Sequence, residues 1–416
     1  MGLISRNSPF NRVTAIATRR QVHAAFGWMH QNPKTIMDWQ AELTLIPAPP
    51  FGEQARSAWT AARFAEIGLQ SIQTDAVGNV LGWLPAATLP PESTGPVVVL
   101  SAHLDTVFPA ATPLNAVVNG DRLELPGACD NGAGVVGLLA IAQALVRASV
   151  ELPAPLIFLA NVGEEGEGDL RGVRHLYSNS SLAGRIAAHI VLDGAGAETA
   201  VTQALGSRRF MVRIDGPGGH SFSDAGTPNP IAALSAALAT FADTPLPTDP
   251  RTTINLGTIH GGTSVNSIPE SVEASVDIRS TGPSELVRLE VALFRAVEDA
   301  ILRTNQKPSA HGRGTLTHSI TRIGDRPAAE LPSDSPLLAA LLAVDRHLGL
   351  RTDLRVGSTD ANIPLSLGTP SLSMGAGGDG GGAHTLAEWY SDKDRELGLR
   401  RVLLLTLSML DWAAEI

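Results

Sequence analysis

The sequence predicts an α/β fold: a mostly parallel sheet with helices on both faces, plus an inserted α+β domain of four antiparallel strands and two helices. Three observations predict it. Val97–Leu100, Leu156–Ala160 and Ile190–Leu192 are continuous apolar runs, as expected of strands buried on both faces. Helical patterns alternate with them along the chain. In the middle of the chain the strand-like segments change to alternating apolar and polar residues, the pattern of a half-exposed antiparallel sheet.

Residues 1–20 carry Arg and Ser without an apolar stretch; this is no secretory signal and leaves room for a mobile tail. Trp59–Leu69 reads as a helix, with Trp59, Ala62, Phe64 and Ile67 on one side. The Val97 strand runs into His103 and Asp105. Gly134–Ala148 is an apolar helix that begins just after Asp130. The Leu156 strand ends at Glu164 and Glu165, and the Ile190 strand ends at Asp193. The middle then offers strands at Arg208–Asp215, Thr252–Ile259, Ser271–Ile278 and Leu316–Ile323, with helices at Asn229–Phe241 and Ser284–Arg303. Residues 207–322 therefore read as the inserted domain, and residues 1–206 with 323–416 as the main one. Ser335–Leu348 resumes the helical pattern, and Ser371–Met374 is a further strand before the glycine-rich stretch that carries His384. A chain of 416 residues is too long for one ordinary core.

Composition narrows the function. With 44% hydrophobic and 17% charged residues the chain reads as a soluble globular protein. A net charge of −10 argues against nucleic acid, whose phosphates need a basic face. The one cysteine cannot form an intrachain disulfide, which is compatible with a reducing compartment, and the cytoplasm is the expected location. No apolar run of about 18 residues is evident, so no membrane span is expected.

Five segments carry the chemistry. Ser101–Asp105, Gly127–Gly132, Gly163–Gly166, Val191–Gly194 and Gly380–His384 each place a metal-type ligand, most of them at the end of an apolar run. In a parallel α/β sheet, ligands bind beyond the carboxyl ends of the strands, which is where these residues fall. Two His, two Asp and one Glu suit a pair of divalent ions. Asp130 is the candidate bridge, His103 and Asp193 complete one ion, and Glu165 and His384 complete the other. Imidazole with carboxylate suits zinc best, and manganese or cobalt could take the same set. Asp105, two residues after His103, can accept from the second ring nitrogen and fix the tautomer. Glu164 is the candidate general base for the shared water. Rival chemistries fit less well: Gly219-His220-Ser221-Phe222-Ser223 lacks the last glycine of a nucleophile elbow, and Gly375–Gly382 lacks the Lys-Ser or Lys-Thr of a phosphate loop.

With these residues in view, the chain resembles the M20 family of metallopeptidases. The motifs are His103-x-Asp105, Gly127-Ala-Cys-Asp130-Asn, Glu164-Glu165, Asp193-Gly194, Gly219-His220-Ser221, Gly262-Thr-Ser-Val-Asn266-Ser-Ile-Pro269, Asp277-Ile-Arg279 and His384. The stretches Gly357–Pro364 and Gly380–Trp389 look most like the peptidase T-like branch. The resemblance implies the same metal roles, a cis peptide after Asp130, and a lid domain that often dimerises. It also implies that His220 stabilises the developing oxyanion, in some cases in the partner subunit's site, and that Asn266 and Arg279 hold the substrate. The expected protein is a two-metal exopeptidase or amide hydrolase acting on a small peptide, working as a homodimer through the lid. The alternatives are an N-acyl or N-carbamoyl amino acid amidohydrolase on the same scaffold and, less favoured, a non-catalytic metal-binding homologue.

Overall fold

The computed structural model describes residues 8–87, 95–307 and 312–416. They fall into two compact units, Met1–Ala204 with Glu330–Ile416, and Leu205–Ala329. The chain returns from the second unit at residue 329 and not at 322. The reason is that strand Thr317–Arg326 runs on past Ile323 and pairs with Gly206–Asp215 as far as Arg326 opposite Ser207.

The first unit is built on a nine-stranded mixed sheet. Its centre is parallel: Leu156–Asn161, Val97–His103, Ile186–Leu192 and Ser371–Met374 lie side by side in that order. Every residue of these four strands is buried, which explains the apolar runs they contain. Antiparallel neighbours flank the centre, Val80–Leu84 on one side and Thr199–Ala204 on the other. Successive side chains alternate between the faces. On one face Val97, Val99, Ile157 and Leu159 pack with Val173 and Leu176 of the helix Arg171–Asn179. Phe158 points the other way and meets Phe64 of the helix Gln54–Ile67 edge to face. That helix stops where Gly68 takes a left-handed φ of 96°, a conformation cheap only for glycine.

Two expectations need correction. The N-terminal stretch is ordered from residue 8. Ser8 caps the helix Pro9–Ala17 by accepting from Asn11 N, and Val13, Ile16 and Ala17 are buried. Helices Arg20–Gln31 and Pro33–Thr44 follow directly. Residues 1–7 of the supposed tail lie outside the described residues. The second correction concerns membrane-length helices. Ala128–Arg147 is long and apolar enough for a span, with mean hydropathy 1.5, but 83% of the window is buried inside the fold. It is a core helix, and its first turn is broken at Asp130 and Asn131.

The second unit carries a four-stranded antiparallel sheet in the order Thr252–Gly261, Ser271–Ser280, Gly206–Asp215, Thr317–Arg326. Phe210, Val212 and Ile214 alternate onto one face, where they meet Leu234, Leu238 and Phe241 of the helix Pro230–Ala242 and Leu286, Leu289 and Leu293 of Pro283–Asn305.

Candidate active site

Three neighbouring parallel strands end on the same edge of the sheet and deliver the candidate ligands together. His103 is the last residue of its strand, Glu164 and Glu165 follow Leu156–Asn161 by a short turn, and Asp193 directly follows Ile186–Leu192. Asp130 sits in the broken turn ahead of the helix Gly134–Arg147, at φ −110° and ψ 99°, and its peptide bond to Asn131 is cis. His384 comes from a small four-stranded sheet, in the link between Asp379–Gly381 and Trp389–Ser391.

The structure brings the five expected ligands into two sets that share Asp130. One set is His103, Asp130 and Asp193, and the other is Asp130, Glu165 and His384. Within each, the ligand atoms lie within 4.8 Å of one another. Asp130 divides its carboxylate between them: Oδ1 lies 3.2 Å from His103 Nε2, and Oδ2 lies 3.0 Å from His384 Nε2. Asp193 Oδ1 is 3.8 Å from His103 Nε2, and Glu165 Oε1 is 3.0 Å from His384 Nε2. Glu164 joins His103 and Glu165 in a third grouping of the same tightness, so its carboxylate also faces this space.

The electrostatics suit a cation. Burial alone would lower His103, but Asp105, Asp130 and Asp193 outweigh it and hold the ring well above its ordinary pKa. His384 is raised to about 9, chiefly by its bond to Asp130. Glu165 is pushed up to about 7 by burial, with Asp130 and Asp105 adding to the rise. A site that protonates imidazoles and strains to hold one more carboxylate charge is a site in which positive charge is stabilised. Asp130 Oδ1 is buried and meets only His103 Nε2, at 3.2 Å and without good hydrogen-bond geometry, which leaves it able to ligate. Carboxylate and imidazole donors in two sets around one shared carboxylate therefore fit a divalent pair.

The neighbouring segments are tied by side chains that accept from backbone amides. Asp105, fully buried, accepts from Glu164 N at 2.9 Å through Oδ1 and from Glu165 N at 2.8 Å through Oδ2. Its expected role toward His103 is shared with the main chain, since His103 Nδ1 lies 3.1 Å from the Asp105 carbonyl and 3.6 Å from Oδ1. Asn131 was legible only as a turn residue. Its Nδ2 donates to Leu192 O at 2.9 Å, and its Oδ1 accepts from Gly134 N at 3.0 Å and Gly194 N at 3.1 Å. The Asp130 turn is thus tied to the strand end bearing Asp193. Cys129 is buried and its thiol is pushed up to about 12, first by burial, so it packs and is no nucleophile.

The remaining expected residues lie in the second unit. His220 and Asn266 are neighbours across a short ladder: His220 pairs with Ser267, and Ser221 N donates to Asn266 O at 3.0 Å. His220 Nδ1 accepts from Phe222 N at 3.2 Å and Ser223 N at 3.3 Å. An accepting Nδ1 leaves the proton of a neutral ring on Nε2, so this exposed side chain presents an N–H donor. Arg279 stands apart from them on the strand Ser271–Ser280, where its Nε donates to Asp277 Oδ2 at 2.7 Å.

The model of peptidase family M20/M25/M40 matches residues 99–407. The chain belongs to this family. A probable carboxypeptidase of Paracoccidioides lutzii is 29% identical over 224 residues, which is 49% of this chain and 49% of that protein. The chain therefore spans about half the length of the curated relatives of this kind. Its fold is similar to a tripeptidase from Staphylococcus aureus, at TM-score 0.73 and 21% identity, covering 92% of this chain and 99% of the other. It is also similar to a dinuclear metal-binding peptidase of family M20 from Bacillus subtilis, at TM-score 0.64 and 16% identity, covering 91% and 98%.

Proposed function

We propose that this family member is a two-metal exopeptidase that hydrolyses an amide bond in a small substrate such as a di- or tripeptide. The observation that carries the reading is the divided carboxylate of Asp130, with one oxygen toward the His103 and Asp193 set and the other toward the Glu165 and His384 set. His103, Asp130 and Asp193 would hold one ion, and Asp130, Glu165 and His384 the other, with zinc suited to the donor set and manganese or cobalt able to replace it. When bound, such a pair supplies Lewis acidity and a nucleophilic oxygen at neutral pH.

The chain's own residues supply the rest. Glu164 is the general base: it takes a proton from the attacking water and returns it to the leaving amine, balancing the hydrolysis. Its backbone is pinned by Asp105, which fixes where that carboxylate starts. His220, as an Nε2–H donor, is suited to the developing oxyanion. Asn266 and Arg279 offer an amide and a guanidinium for the substrate's carbonyl or carboxylate. A homodimer through the second unit is part of the proposal. It is supported by the edge strand Thr252–Gly261, which exposes Leu256 and Ile259 and leaves a row of backbone groups for pairing.

The test is a panel of dipeptides, tripeptides and N-acyl amino acids, assayed after chelation and after adding back zinc or cobalt. Peptide turnover that is lost to the chelator and restored by about two ions per chain is expected. A chain that binds two ions and cleaves only N-acyl amino acids would overturn the peptidase reading in favour of the amidohydrolase. A chain that takes up no ions would overturn both.

A further inference from the structure

The segment that carries His384 turns back and ends beneath the Asp130 turn. Thr385 N donates to Gly382 O at 3.0 Å, and Glu388 N donates to Thr385 O at 3.2 Å, so the stretch from His384 to Glu388 is compact. Glu388 is 1% exposed and points inward. Its Oε2 accepts from Gly127 N at 2.8 Å, and its Oε1 accepts from Cys129 N at 2.8 Å and Asp130 N at 2.8 Å. Its carbonyl accepts from Leu125 N at 3.1 Å. Four hydrogen bonds thus run from one residue into the turn that bears Asp130. Gln40, also buried, donates to Ala128 O at 2.5 Å and closes the turn from the other side.

The chemistry explains why a carboxylate stands there. Gly127 is left-handed at φ 83° and Asp130 is extended, so this turn does not pair its amides in helical fashion. Burying a carboxylate is costly unless strong donors meet it, and amides converging on one carboxylate are such donors. Glu388 also lies only four residues from His384, whose Nε2 is 3.0 Å from Asp130 Oδ2. The same short segment therefore places one ligand directly and grips the backbone of another.

We propose that Glu388 is a positioning residue that, through the amides of Gly127, Cys129 and Asp130, sets the spacing between Asp130 and His384. The inference rests on the two-ion reading of the site. It predicts an asymmetry. The Asp130, Glu165 and His384 set depends on Glu388 for two of its ligands. The His103, Asp130 and Asp193 set takes only Asp130 from that grip, and Asn131 ties the Asp130 turn to the strand end bearing Asp193 as well.

The experiment titrates metal-free wild type and Glu388→Gln with zinc by calorimetry, and with cobalt by visible absorption, alongside circular dichroism. Gln keeps one acceptor oxygen and turns an NH2 toward at least one amide. The expected result is a folded variant in which one binding step is weakened by about 10- to 100-fold, the usual range for a group that orients a ligand, while the other step, which shares only Asp130 with it, is weakened clearly less. A folded variant with both steps within threefold of wild type, or with both weakened equally, overturns the proposal. Hydrogen exchange on the full-length wild type decides the case if the variant does not fold. The amides of Gly127, Cys129 and Asp130 should then exchange as slowly as those of strand Val97–His103, and exchange at the rate of an exposed loop overturns the proposal. A wild type that binds no ion refutes the two-ion reading itself, and the exchange result still judges whether Glu388 holds the turn.

Discussion

Replacing Asp105 with Asn tests how Glu164, the proposed base, and Glu165, the proposed ligand beside it, are held. The wild-type carboxylate is fully buried and split between two amides, Glu164 N at 2.9 Å on Oδ1 and Glu165 N at 2.8 Å on Oδ2. Asn has nearly the same shape but one oxygen, so whichever way it turns, one peptide N–H faces an NH2. The charge-assisted bond lost is worth about 1.5–3 kcal/mol. At about 1.36 kcal/mol per tenfold, that is roughly a 10- to 150-fold effect. The two orientations leave different traces. If the amide of Glu164 is repelled, the base drifts, and kcat falls with metal affinity intact. If the amide of Glu165 is repelled, the ligand drifts, and metal affinity falls first. Steady-state kinetics on the best substrate of the panel, paired with metal titration of Asp105→Asn, separates the two. Values of kcat/KM and metal affinity that both stay within threefold of wild type would refute the claim that Asp105 acts through these amides.

Three further outcomes are expected. Glu164→Ala should lower kcat by about 10²- to 10⁴-fold while two ions still bind, and an unchanged kcat would rule Glu164 out as the base. Arg401→Met should cost about 3–5 kcal/mol in urea unfolding, because it strands buried Asp345, which accepts from Arg401 at 2.6 and 2.8 Å; a loss below about 1 kcal/mol would show that the pair does not hold the two helices. His189 is fully buried between Ser101 Oγ at 2.8 Å and Tyr177 Oη at 3.2 Å, and burial pushes its pKa down to about 3. Between about pH 6.5 and pH 3 the unfolded chain binds a proton there that the folded chain does not. Stability therefore falls on acidification by about 1.4 kcal/mol per pH unit through this group. The acid limb of His189→Gln should be shallower by that amount, and equal slopes would exclude the effect.

The fold was legible where a single physical signal dominated. Strands Val97–His103 and Leu156–Asn161 are buried on both faces, so their apolar runs announce them. The strand Ile186–Leu192 was read only from Ile190, because His189 interrupts the apolar run although it is itself buried. The helix Pro9–Ala17 was missed for the converse reason. Val13, Ile16 and Ala17 do fall on one face, but Asn11, Arg12 and Thr14 around them give the stretch a polar look, and its core partners are hundreds of residues away in the helices Pro336–Leu348 and Arg395–Ala413. The candidate ligands were legible because few side chains can hold a divalent ion, and those residues recur at strand ends.

What escaped the sequence is one kind of contact. Asp105, Asn131 and Glu388 accept from backbone amides, and an amide has no side-chain identity to betray its partner. Glu388 acts across 258 to 261 residues of chain, so no spacing rule reaches it. Yet these contacts solve a problem that the candidate ligands create. Asp130, Glu165 and Asp193 are acidic groups brought close together, and His103 and His384 offset only part of that cost. Main-chain amides offset more of it, because they donate without adding a competing cation. Asp105 fixes Glu165 in this way, Glu388 fixes Asp130, and Asn131 fixes the turn beyond Asp193. The acidic cluster is thus arranged by its scaffold in advance, so a cation entering it gains the Coulomb energy without the cost of assembling the carboxylates.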